Sequence, residues 1–143
     1  MSSSVGSSAT PRDRQVDGGS NAGSTAGFVV LAWLIPGAAH VVLGQPRKGV
    51  VFFGVLTAMF LMGCAFDGRL FPFQSSEWLV FLAAVAQWGV GLPRMLGGAV
   101  GVGAGDVTSI TYEYGNTFLM ASGLLNALVA LNASDLARRR GRP

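Results

Sequence analysis

The sequence predicts an all-α, polytopic membrane protein with about four transmembrane helices in two antiparallel hairpins. Three observations carry that reading. Half of the 143 residues are hydrophobic and only 12% are charged, against about 25% in a typical soluble domain. The mean hydropathy is +0.49. The charges also cluster. Apart from Arg47, Lys48, Asp67, Arg69, Glu77, Arg94, Asp106 and Glu113, they fall in the first 17 or the last 9 residues. Burial in a bilayer explains long uncharged stretches of this kind, and the core of so short a soluble chain does not.

Residues 1–25 form a tail rich in Ser, Gly, Ala and Thr, too polar to offset the entropy of ordering. Its basic residues, Arg12 and Arg14, are followed by a polar stretch with no small-residue cleavage site. The pattern is not that of a secretory signal, and the first helix is expected to be retained. A helical domain over 26–137 follows, with helices at about 27–44, 49–66, 77–92 and 115–136, and 138–143 is a basic C-terminal tail. At 1.5 Å per residue the first segment reaches roughly 27 Å, close to the thickness of a hydrocarbon core. Pro36 cannot donate to the carbonyl of Ala32, so Pro36-Gly37 either kinks this span or turns it into a re-entrant hairpin.

The polar turn Gln45-Pro46-Arg47-Lys48 makes the first two helices antiparallel neighbours. A second loop runs from Asp67 to Ser76. Ser75 or Ser76 is placed to cap the third helix, and Glu77 suits its first turn. That helix is short, and it either ends before Pro93 or continues through it with a kink. The glycine-rich stretch 97–105 reads as a flexible loop or as a pair of glycines permitting close helix approach. Its spacing matches no phosphate-binding motif.

Helix four has two faces. Asn116, Met120, Gly123, Asn126, Ala127, Ala130 and Ser134 fall on one side and are expected to face protein. Phe118, Leu124, Leu125, Leu128 and Val129 fall on the other and are expected to face lipid. An amide at the depth of Asn126 needs a partner, and Gln87 on helix three is the natural candidate.

Few residues suggest chemistry. His40, the single histidine, is either a proton-relay or ligand residue or a neutral ring paired with a neighbouring helix or freed carbonyl. Glu113 is either an acid/base or cation-binding group or a solvated carboxylate. With one histidine and one cysteine, Cys64, neither a disulfide nor a clustered metal or haem site is expected, and no cofactor is implied. The basic residues form no continuous face for nucleic acid. Pro36, Gly37, His40, Gly44, Gln87, Glu113, Asn116, Gly123 and Asn126 are thus the candidate functional or packing residues. With four spans, Arg12, Arg14, Arg69 and Arg138–Arg142 share one side, and Arg47, Lys48 and Arg94 the other. The positive-inside bias then places both termini in the cytoplasm.

AWLIPGAAHVVLGQPRKGVVFF (32–53) resembles the helix–turn–helix core of the small two-transmembrane-helix domain family, in its Pro-Gly/His helix, its Leu-Gly end and its short basic turn. Val41-Val42 stand where such domains often carry aromatic residues. AQWGVGLPRML (86–96), DVTSITYEYGNTF (106–118) and ASGLLNALVALNASDLA (121–137) make the rest similar to an uncharacterised bacterial family of four-helix inner-membrane proteins. The resemblance implies a fold and an inner-membrane location, and no reaction. The expected role is a non-enzymatic structural or interaction module in the bilayer, packing with other membrane proteins or with itself. The alternative is a small channel or transporter-like component with a polar path through His40, Gln87 and Asn126.

Overall fold

A computed structural model describes residues 19–73 and 76–140. The tail up to residue 18, Ser75 and the last residues 141–143 lie outside them, and with them the expected disorder of most of the tail and one proposed cap. The described residues are all-helical, in the order α1 Gly19–Leu34, α2 Ala38–Val42, α3 Pro46–Ala65, α4 Trp78–Trp88, α5 Leu92–Ala99 and α6 Tyr112–Arg140. The expected tail therefore ends earlier than residue 25, because 19–25 already belong to α1.

Two of the four expected helices are broken. The first, expected over 27–44, stops at Leu34 and resumes as the five-residue α2. Pro36 removes a donor, and Gly37 takes φ +78°, a left-handed conformation that glycine adopts without steric cost. The third, expected over 77–92, stops at Trp88, where Gly91 takes φ +69°. Pro93 then occupies the first turn of a new helix, where its missing N–H has no consequence. The axes of α4 and α5 differ by 109°, so the chain doubles back. The second and fourth helices run on: α3 begins three residues before the expected Gly49, and α6 covers 112–140 where 115–136 was expected.

Among the described residues only α3 and α6 are individually long and apolar enough to cross a membrane, and a third crossing exists only if the bent pair α4–α5 is counted as one span. These two helices are antiparallel. Gly63, near the end of α3, lies against Gly115 and Leu119 near the start of α6. At the other end Gly49 of α3 packs on Gly37 and Val41, while Ala39 of α2 and Leu43 just after it cluster with Ala130 and Ala133 of α6. The start of α3 and the end of α6 therefore share one end of the bundle. This differs from four alternating spans, which would put Arg47-Lys48 opposite Arg138–Arg140. The reversal at Gly89–Gly91 is the reason: α4 and α5 leave from and return to the other end.

That return is visible in the loops. Leu70 N–H donates to the Gly103 carbonyl (2.8 Å), Asp106 N–H donates to the Asp67 carbonyl (3.2 Å), and Arg69 bridges Ala104. The segment entering α4 thus runs antiparallel to the one leaving α5. In the 97–105 stretch the first three residues therefore end α5 and the rest form the paired loop. In that loop Asp106 accepts from the Thr108 hydroxyl (2.6 Å) and its N–H (2.9 Å), and these bonds hold its carboxyl below the ordinary aspartate range.

Small residues set the helix contacts. A side chain at Gly123 would run into the Ala86 carbonyl of α4, so α4 and α6 meet backbone to backbone. The faces of α6 follow the expected division, with Gly123, Asn126, Ala130 and Ser134 buried and Leu124, Leu125 and Leu128 exposed. Two departures stand out. Val129 is buried, and Phe118 is half-buried against Phe66, because α1 and α3 wrap further round α6 than one face. On α3 only 22% of the most apolar window is buried, leaving Val50, Val51, Phe53, Val55 and Leu61 exposed. So wide an apolar face suits lipid and not water.

Gly123→Ala should destabilise the bundle by roughly 1–3 kcal/mol, the usual cost of overpacking a tight contact. Gly54→Ala, facing open space, should be near neutral. Thermal unfolding in one detergent distinguishes them, and equal midpoints would refute the close α4–α6 contact.

Candidate functional site

The buried polar side chains collect where the backbone is irregular. Among the described residues seven polar or charged ones are buried: His40, Gln87, Arg94, Asn116, Ser122, Asn126 and Ser134. Two of them, Ser122 and Ser134, return their hydroxyls to carbonyls one turn back in α6. The other five reach across the fold.

Asn126 sits on α6 where both helix breaks arrive. Its Nδ2 donates to the Trp33 carbonyl (3.0 Å) at the end of α1 and to the Gly89 carbonyl (2.9 Å) at the end of α4. Trp33 Nε1 donates to the Trp88 carbonyl (3.0 Å), tying the two ends directly. Gly91 lies against the Trp33 and Leu34 carbonyls, so closely that a Cβ there would fall within 2.8 Å of the Leu34 oxygen. The two breaks thus touch each other. Their carbonyls, left without a helical donor, are supplied by one amide.

Gln87 and Asn116 serve the extended segment 69–71. Asn116 Oδ1 accepts from Arg69 N–H (2.8 Å). Gln87 Oε1 accepts from Phe71 N–H (2.9 Å), and its Nε2 donates to the Arg69 carbonyl (2.7 Å). Arg94, from the first turn of α5, donates to the Phe71 carbonyl (2.9 Å) and lies 5.4 Å from the Trp88 ring centroid, a cation–π contact. Trp88 in turn stacks on Phe73 at 5.4 Å. Three helices therefore supply the hydrogen bonds that a non-helical segment needs away from water.

The expected pairing of Gln87 with Asn126 does not occur. Each amide bonds to irregular backbone instead, Gln87 through both its oxygen and its nitrogen and Asn126 through Nδ2 alone, its Oδ1 being buried without a partner. His40 is 1% exposed and pairs through Nε2 with Asn132 Oδ1 of α6 at 3.1 Å. That oxygen only accepts, so the proton sits on Nε2. The ring edge meets Phe52 at 5.1 Å, and Nδ1 is buried without a partner. Asn132 lies six residues beyond Asn126, about 9 Å further along the helix, so the structure does not bring His40 to Asn126 or Gln87. Pro36 and Gly37 form the first break. Gly44, at φ +72°, ends the turn after α2. Glu113 is exposed in the first turn of α6, where a carboxylate suits the helix dipole. Among the described residues no cluster of three or more His, Cys, Asp or Glu side chains is placed to hold a metal ion.

Arg94, Asn132, Trp33 and Gly91 were not singled out from the sequence. A signal existed for two of them: Gly91-Leu92-Pro93 repeats the glycine and proline chemistry of Pro36-Gly37, and Arg94 is a charge within a helix-length apolar run. Nothing marked Asn132, which is placed by tertiary contact alone.

Asn126→Leu leaves the Trp33 and Gly89 carbonyls unpaired and should cost about 2–6 kcal/mol, since each buried orphan costs roughly 1–3. Gln87→Leu should cost a similar amount through Arg69 and Phe71, whereas Glu113→Gln should cost little. Unfolding midpoints that do not fall in the first two variants would refute the role assigned to these amides.

No curated protein and no solved structure matches this chain. One family matches residues 27–142. The chain belongs to that family, a family of unknown function (DUF6677).

Proposed function

We propose that this protein is a non-enzymatic packing and interaction module of the bacterial inner membrane. The observation that carries this reading is the use of the buried polar side chains. Asn126, Gln87, Asn116 and Arg94 all bond to the chain's own backbone at the breaks and the extended segment. Such groups stabilise one arrangement of helices, and they are not directed at a solute. The resemblance of residues 32–53 to two-transmembrane-helix domains and of the later segments to four-helix inner-membrane proteins supports the location. Other membrane proteins, or further copies of the chain, are the partners that the exposed apolar faces of α3 and α6 suit.

Charge supports an orientation. Arg47, Lys48, Arg138 and Arg139, with Asp135, lie at the end where α3 begins and α6 finishes. Asp67, Glu77, Asp106 and Glu113, with Arg69 and the buried Arg94, lie at the opposite end. The positive-inside rule assigns the first end to the cytoplasm. Ala32 clusters with Ala130 and Ala133 as Trp33 reaches Asn126, which favours α1 approaching from that same end. Both termini are then cytoplasmic, with Arg47-Lys48 beside them.

A second reading, a polar path, is favoured by one observation: Asn126 Oδ1 is buried without a partner where the two breaks meet.

Three experiments test these readings. In a Cys64→Ser background, cysteines at Arg47 and Arg138 should be labelled from the cytoplasmic face and one at Thr108 from the other; labelling of 47 and 138 from opposite faces would overturn the orientation. Proteoliposomes should release small ions and neutral solutes no faster than empty vesicles, while mild-detergent isolation should recover other membrane proteins or oligomers. Solute flux abolished by Asn126→Leu would replace the packing role with the polar path.

A further inference from the structure

Two apolar grooves meet on the outer face of α3. One, of about 370 Å³, runs past Val41, Val42, Gly49 and Val50; the other, of about 320 Å³, runs past Thr57, Phe60, Leu61, Leu92 and Leu96. Ile35, Pro36 and Phe53 line both. These shared residues join them into a groove beside the first helix break. From Val50 to Leu61 it extends about 17 Å along α3, a little more than half of a hydrocarbon core of about 30 Å. At its open end α3 begins with Pro46-Arg47-Lys48. Its first turn has no acidic residue, and Gln45 makes no side-chain cap.

We infer that this groove seats an acyl chain of an anionic phospholipid, with the phosphate held by Arg47 and Lys48. The inference rests on the membrane reading given above. Charge favours an anionic headgroup. Arg47 and Lys48 are exposed in the first turn of α3, directly before Gly49, which lines the groove, and two basic side chains beside the positive end of a helix dipole attract a phosphate at that level. The groove exists because Pro36 breaks the first helix. Were α1 continuous through residue 42, its side chains would not leave this notch beside Phe53.

The test compares phosphatidylglycerol with phosphatidylcholine on the purified full chain, by native mass spectrometry of retained lipid and by lipid-dependent unfolding temperature. Wild type should retain phosphatidylglycerol at least about tenfold better, as two interfacial basic residues imply. Arg47→Gln with Lys48→Gln should reduce this to the phosphatidylcholine level while the lipid-free unfolding midpoint is kept. Val50→Trp, at a site 67% exposed, should lower retention of both lipids by filling the groove. Equal retention of the two lipids by wild type, or a preference that survives in the double variant, overturns the proposal. So does rapid disulfide cross-linking through Phe53→Cys in the Cys64→Ser background that added lipid does not suppress, which would assign the groove to a second copy. Release of the chain from membranes by alkaline carbonate would instead refute the membrane reading itself.

Discussion

Within an apolar medium every interrupted helix exposes backbone groups that water cannot satisfy, and each one left unpaired costs several kcal/mol. This chain interrupts its helices twice, at Pro36-Gly37 and at Gly91, and carries a third irregular stretch at 67–73. The arrangement of the rest follows from that constraint. The two breaks are brought together so that one amide, Asn126, serves both, and Trp33 joins them side chain to backbone. The extended stretch is laid across Gln87, Asn116 and Arg94. Helix α6 contributes to both clusters, and its unbroken length of 29 residues makes it the support against which the shorter pieces are set.

Close approach is the second requirement. An amide reaches two carbonyls at 3 Å only if the helices that bear them come near, and Gly123, Gly91 and Gly63 remove the side chains that would hold them apart. Polar pairing and small-residue packing are thus one design. The hydrogen bonds locate the breaks along α6, and the glycines let α1, α3 and α4 reach it.

Much of this was legible in the sequence. The apolar segments with few charges indicated the helices. The period of α6 marked Gly123, Asn126, Ala130 and Ser134 as inward-facing, and Pro36 indicated the first break. The reversal at Gly91 was harder to read. A proline at residue 93 is compatible with a kinked span, and only the contact of Gly91 with Trp33 and Leu34, 57 residues or more earlier in the chain, turns the segment back. The same long-range contact moved Arg47-Lys48 to the end that holds Arg138–Arg140, which alternation of spans had separated. The partners of Gln87 and Asn126 were also out of reach, because a periodicity identifies which face a residue occupies and says nothing about which carbonyls lie opposite. Family membership adds a boundary at residue 27 and no activity.

The placement of Asn116 and Asn126 on the last helix has a consequence for biogenesis. The ribosome delivers α1, the first break, α3, the extended stretch and the α4–α5 reversal before it delivers the side chains that complete them. Until α6 emerges, the carbonyls of Trp33 and Gly89 and the N–H of Arg69 have no protein partner of the kind seen in the finished fold. The fold around both breaks therefore closes only when α6 packs against the segments that precede it.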